Sequence, residues 1–204
     1  GTGGLQVPSA DSLHATEGLT IDCWVRFAAV RDNTNIVSKD GEYLLRLDPP
    51  TEGSTVSFFV DLDGALEPRV KGPAVEAGKW YHLVATWDGA TAVLWVNGQE
   101  FSHARPGSIA PTETPIAIGL PSQWGPRGLW GVIDEVKLYG TALTRQEVLT
   151  RDLGLDRPVQ GPRSTEARFE FDKDAEGWEA VGDGPPTVRD GALRLQVPPE
   201  GATL

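Results

Sequence analysis

Residues 79–100, KWYHLVATWDGATAVLWVNGQE, hold two short apolar runs joined by Trp87-Asp88-Gly89-Ala90. Strand geometry sends successive side chains to opposite faces. Trp80, His82, Val84 and Thr86 therefore share one face of the first run, and Tyr81, Leu83, Ala85 and Trp87 the other. In the second run Val93 and Trp95 oppose Ala92, Leu94 and Val96. Asp88-Gly89 and Asn97-Gly98 are hairpin signals, the first with room for a four-residue loop. Both faces of both strands carry apolar groups, as in strands deep within a two-layer sandwich whose outer face is partly covered. Trp80, Trp87 and Trp95 are accordingly expected to serve packing rather than an exposed stacking face.

The same period of two recurs from about residue 5 to residue 140, punctuated by Gly, Pro, Asn and Asp, which predicts an antiparallel all-β domain. Strands are expected at 19–27, 35–38, 42–47, 55–61, 66–71, 79–87, 91–97, 115–119 and 129–139. Pro49-Pro50, Gly72-Pro73 and Pro111 resist inclusion in central strands. One helix is predicted near residues 143–151, where Leu143, Val148 and Leu149 fall at helical spacing and Thr144 with Glu147 forms a capping pair. Residues 156–166 are rich in Pro, Gly and charge and read as a linker. Strand signals return in ARFEFD and GALRLQV.

With 18 Lys and Arg against 29 Asp and Glu, the formal charge is −11 and no basic cluster offers a track for phosphates. Nucleic acid and anionic membrane surfaces are unsuited partners. Apolar runs end well before the roughly 20 residues that span a bilayer, and GTGGLQVPSA lacks the pattern of a signal peptide. The absence of methionine and the opening on a glycine cluster suggest a piece of a larger protein. Cys23, the single cysteine, has no partner for an internal disulfide and is expected to be a small buried residue.

GLQVPSADSL, GLTIDCWVRF, IVSKDGEYLLRL, GKWYHLVATWDGATAVLWVNGQE, IAIG and GVIDEVKLYGTALTRQEV, in this order, resemble the concanavalin A-like, laminin G-like jelly-roll family, and especially its bacterial pentraxin-like branch. The likeness covers about residues 4–150. It implies a curved sandwich of two antiparallel sheets, with ligands taken by edge loops or the concave face, and in many members a calcium ion. It also implies an additional strand ahead of Val7 and Pro8. The domain division that follows is a jelly roll over 1–155, a linker over 156–166, and over 167–204 an incomplete second β module or docking extension. That last segment resembles the opening of a carbohydrate-binding β-sandwich and is too short to complete one.

The resemblance makes Asp134, in GVIDEVKLYG, the candidate calcium ligand. A hard cation needs several more oxygens, and Asp134 bonding backbone amides at a sheet corner is the competing expectation. A β-glucan hydrolase of this class needs two carboxylates spaced two or four apart on one strand. Asp134 and Glu135 are adjacent and, by strand alternation, face opposite ways. Asp61 and Asp63 read as a turn and a solvated edge. His14, His82 and His103 lack metal or triad partners, and His82 is expected to be a packed strand residue. The loop GLPSQWGPRGLWG, residues 119–131, is the candidate recognition element: Trp124, with Gln123 and Arg127, combines a stacking face with hydrogen-bond donors, or plugs the sandwich end. Trp130 is expected in the core. No catalytic residue is expected. The sequence suggests a non-catalytic, carbohydrate-binding accessory module of a larger secreted or surface-attached bacterial protein, monomeric and contacting glycan, or else a structural or protein-interaction spacer packed against a neighbouring glycoside hydrolase-type domain.

Overall fold

The computed structural model describes residues 3–123, 128–152, 166–168, 179–180, 187–189 and 192–194. In chain order the strands are β1 (Leu5–Val7), β2 (Leu19–Phe27), β3 (Thr34–Lys39), β4 (Tyr43–Leu47), β5 (Thr55–Leu62), β6 (Ala65–Ala74), β7 (Trp80–Trp87), β8 (Thr91–Val96), β9 (Gln99–Ala104), β10 (Ile116–Ile118), β11 (Gly131–Tyr139), β12 (Glu166–Arg168), β13 (Glu179–Ala180), β14 (Thr187–Arg189) and β15 (Ala192–Arg194). One helix, α1 (Arg145–Asp152), follows β11.

Two antiparallel sheets face each other. Sheet A has the order β13-β1-β10-β3-β4-β5-β6 and sheet B the order β12-β11-β2-β7-β8-β9, while β14 and β15 form a separate hairpin. Alternation decides which side chains meet between the sheets. In β2, Ile21, Cys23, Val25 and Phe27 are fully buried in the core, and Thr20, Asp22, Trp24 and Arg26 line the outer face. Sheet A contributes Val37, Leu45, Leu47, Phe58 and Val60 to the same core. Burial pushes the Cys23 thiol well above the usual range, as does the Asp22 charge beside it, so this cysteine is inert packing.

The expected jelly-roll sandwich is present, with informative differences in detail. β6 runs on through Gly72-Pro73 because it is the last strand of sheet A, where a missing N–H leaves no central partner unbonded. β9, into which the Asn97-Gly98 hairpin signal points, is absent from the expected strand ranges: it is the outer strand of sheet B and mostly exposed, so its sequence lacks apolar alternation. β1 lies just ahead of Pro8, and Glu179–Ala180 of the C-terminal segment pairs along its far edge at Leu5 and Gln6. Glu166–Arg168 pairs likewise with Lys137, Leu138 and Tyr139 of β11. The C-terminal segment thus adds one strand to the edge of each sheet.

Tight turns follow the residues that favour positive φ. Asn97 (φ 50°) and Gly98 (φ 77°) join β8 to β9 through a two-residue hairpin, and Asp63 (φ 57°) with Gly64 (φ 79°) joins β5 to β6 in the same way. At the start of α1 the capping pair is formed: the Thr144 amide donates to Glu147 Oε2 at 2.8 Å, and the Glu147 amide donates to Thr144 Oγ1 at 3.4 Å.

Candidate functional site

The outer face of sheet B is divided. Over one half, Val148 of α1 and Leu143 pack against Val84, Trp95 and Tyr139. Thr20 anchors this cover from below. Its Oγ1 donates to the Thr141 carbonyl at 2.7 Å and accepts the Leu143 amide at 2.9 Å.

The other half carries two rows of side chains across β11, β2 and β7, namely Asp134–Trp24–His82 and Val132–Arg26–Trp80. The first row is held in place. Trp24 stacks on the His82 ring at 4.9 Å, and His82 Nε2 lies 2.9 Å from Asp22 Oδ1. His82 is thus the packed strand residue its sequence context suggests. The second row is open. Trp80 is 41% exposed, and the Arg26 guanidinium lies 5.5 Å from its ring centroid. Such a contact contributes about 0.5–1 kcal/mol at an exposed site.

Beside this row lies a pocket of about 260 Å³, lined by Arg26, Phe27, Ala28, Gly78, Trp130, Gly131 and Val132. Small residues create it. A Cβ on Gly131 would lie 2.2 Å from the Arg26 carbonyl oxygen, so only glycine lets β11 start this close to β2. Gly78, at φ +80°, is tied to β2 by its amide, which donates to the Phe27 carbonyl at 2.7 Å. The same loop is fastened from the core side, where Tyr81 Oη accepts the Glu76 amide at 2.8 Å. Trp130 forms the opposite wall with the Arg31 guanidinium 3.9 Å above its ring. Trp130 was expected in the core; it is half-buried instead, because its position falls in phase with Val132 and Asp134 on the outer face.

The loop that ends at Trp130 starts on the other sheet. Gly119 donates its amide to the Ile36 carbonyl at 2.8 Å, and its own carbonyl accepts the Leu129 amide at 2.7 Å, which closes the base of the loop. Gln123 is exposed, and its amide donates to Asp40 Oδ2 at 3.0 Å, while Asn35 Nδ2 donates to Ser122 Oγ at 2.9 Å. Gln123 therefore sits by the β3–β4 turn of sheet A, apart from Trp80. Trp124 and Arg127 lie outside the described residues.

Asp134 sits at a β-bulge. The register of β11 against β2 shifts between Asp134 and Lys137, and Glu135 has φ +48°. Asp134 Oδ1 accepts the Glu135 amide at 2.8 Å. The bulge also turns Glu135 outward, where Oε2 pairs with Lys137 Nζ at 3.1 Å, while Val136 fills the core. The two carboxylates therefore do not face opposite ways as strict alternation predicts. Among the described residues no group of three or more His, Cys, Asp and Glu could hold a metal ion. Oxygens of another kind are available: Ser38 Oγ and Asp40 Oδ1 are buried with no hydrogen-bond partner, and neutral and carboxylate oxygens of this type suit a hard cation.

The sequence model of the concanavalin A-like lectin/glucanases superfamily, in its laminin G form, matches residues 1–149. No curated protein matches the chain. Among solved structures, a candidate carbohydrate-binding protein of Bacteroides ovatus superposes with a TM-score of 0.65 at 20% identity, over 95% of this chain and 53% of its own. The chain thus spans about half the length of that protein. A heptameric SAP-like pentraxin from Limulus polyphemus gives a TM-score of 0.59 at 17% identity, covering 88% of this chain and 94% of the pentraxin. Domain 4 of an extracellular arabinanase from Geobacillus stearothermophilus, solved with arabinotriose, gives 0.54 at 24% identity, covering 71% and 70%.

Proposed function

Because the chain belongs to the concanavalin A-like lectin/glucanases superfamily, we propose that it is a non-catalytic, carbohydrate-binding accessory module of a larger secreted or surface-attached bacterial protein. The observation that carries this reading is Trp80, exposed beside Arg26 at the rim of the pocket walled by Trp130. The indole offers an apolar face to the C–H face of a sugar ring, and the guanidinium offers donors for its hydroxyls. The arabinotriose complex and the Bacteroides protein, which share the fold, support the glycan as the ligand class. Gln123, Trp124 and Arg127 form a second contact region in this proposal, on the loop that leads into Trp130.

Polysaccharide pull-down and glycan-array binding of the wild type, Trp80→Ala and Trp124→Ala test it. Trp80→Ala is expected to cost about 2 kcal/mol of binding, roughly a 30-fold loss, with a melting temperature only modestly lowered because the side chain is partly exposed. Loss in Trp124→Ala alone would move the site to the loop. No binding by the wild type would overturn the glycan reading. Turnover of a bound polysaccharide would overturn the non-catalytic one, in which Asp134 supports the bulge and Glu135 pairs with Lys137.

Calcium belongs to the proposal as a structural ion. Asp134 is the ligand that the family resemblance implies, and Ser38 Oγ and Asp40 Oδ1, buried without hydrogen-bond partners, are further candidate oxygens. At a hundredfold excess over Kd the ion would stabilise the fold by about 2.7 kcal/mol, a rise of several degrees in melting temperature for a domain of this size. Identical melts in calcium and in EDTA would remove the ion from the proposal. A spacer role is the second reading, favoured by β12 and β13 on the sheet edges. If docking is the main role, deleting residues 162–204 lowers the melting temperature while leaving glycan binding absent throughout.

A further inference from the structure

We propose that the outer-face site of sheet B selects acidic glycans, with the Arg26 guanidinium receiving a sugar carboxylate. This rests on the glycan reading above and adds the charge of the ligand. Several arginines on the described surface are paired with acids. Arg46 bonds Asp48, Arg69 bonds Asp48 and Glu52, and Arg145 bonds Glu100. Arg26 differs. It is half-buried in a chain of net charge −11, and among the described residues its guanidinium makes no hydrogen bond or ion pair, only the contact with the Trp80 ring.

A partly desolvated cation without an anionic partner is costly to keep, and stacking does not supply that partner. With the guanidinium carbon 5.5 Å from the indole centroid and no acid bonded to it, its N–H donors remain available at the rim of the pocket that Arg26 itself lines. A planar fork placed in this way matches the two oxygens of a carboxylate. The pocket, about 260 Å³, lies just below the usual ligand range of about 300–1,000 Å³, a size suited to a single sugar residue. Trp130 walls its far side and carries a second guanidinium, from Arg31, over its ring at 3.9 Å. Two cations therefore flank the cavity.

The test is an array of uronate- and sialate-containing oligosaccharides printed beside their carboxyl-reduced counterparts, followed by calorimetric titration of the tightest pair with the whole chain. Wild type is expected to prefer the acidic member at least roughly tenfold, the scale of a charge-assisted hydrogen bond. Arg26→Gln is expected to bring that ratio near one, and Arg26→Lys to retain only part of it. Thermal melts of both variants identify any failure to fold, and the wild-type ratio stands independently of them. Equal binding of acidic and reduced glycans by the wild type would overturn this inference and leave the glycan reading intact. A ratio unchanged in folded Arg26→Gln would equally overturn the assignment to Arg26. Absence of binding to either member would overturn the glycan reading and the inference with it.

Discussion

Replacing Trp87 with alanine is expected to cost about 3–5 kcal/mol of stability, whereas the same change at Trp80, seven residues earlier on the same strand, costs about 1 kcal/mol. Trp87 is 1% exposed and belongs to the core between the sheets. It lies beside Leu19 on the neighbouring strand and opposite Ala92 across the hairpin. Residues at the end of a closed sandwich cannot collapse into the space an indole leaves, so the cavity cost adds to the lost burial. Chemical denaturation of the two variants checks the contrast. A Trp87→Ala variant within 1 kcal/mol of wild type would show that this end of the core repacks freely.

The second large effect concerns Asp48, a fully buried carboxylate on the turn after β4. Its Oδ1 accepts from Arg46 Nε at 2.9 Å, and its Oδ2 accepts from Arg69 Nη2 and Thr55 Oγ1, each at 2.8 Å, and from Ser57 Oγ at 2.5 Å. Both guanidiniums also lie over the Phe59 ring, at 4.7 and 5.1 Å. Asp48→Ala removes the buried carboxylate shared by Arg46 and Arg69, leaves them only the partly exposed Glu52, and is expected to cost about 3 kcal/mol. Burial alone would raise the Asp48 pKa, but the bonds from Ser57, Thr55, Arg69 and Arg46 outweigh it and hold the carboxyl below its ordinary range. A depressed carboxylate stabilises the fold fully above its unfolded pKa of about 3.9 and loses that contribution as pH falls through the folded value. Glu42 acts in the same direction: burial opposes ionisation, and bonds from Lys39 and from the Thr112 and Ala15 amides overcome it. Melting temperature should therefore be flat near neutrality and fall below about pH 4, less steeply in Asp48→Asn than in wild type. Parallel acid profiles for the two proteins would separate Asp48 from acid stability.

Much of this architecture is legible residue by residue. The alternation in LTIDCWVRF sorts Ile21, Cys23, Val25 and Phe27 from Thr20, Asp22, Trp24 and Arg26, and Thr144 with Glu147 marks the start of α1. What alternation cannot convey is cover. It places Trp80, His82 and Val84 on one face, yet α1 reaches only the part of that face around Val84 and Trp95. One hairpin consequently holds three tryptophans with three fates: core, beneath a helix, and exposed. The informative signal for the site was Trp24 and Arg26 standing among the polar outward positions of β2, in register with His82 and Trp80. Local sequence also hides the bulge at Glu135, because the two-against-one pairing depends on β2. It marks β9 only through Asn97-Gly98, because an edge strand that turns just Phe101 toward the core has no apolar period.

Titration of the isotopically labelled chain with the tightest-binding glycan of the array, followed by the indole N–H signals of its seven tryptophans, tests the central claim most directly. The signals of Trp80 and Trp130 should move with a common saturation curve while those of Trp87 and Trp95, under the core and the helix, stay in place. A stationary Trp80 signal at saturation, or movement confined to Trp124, would contradict binding on the outer face of sheet B.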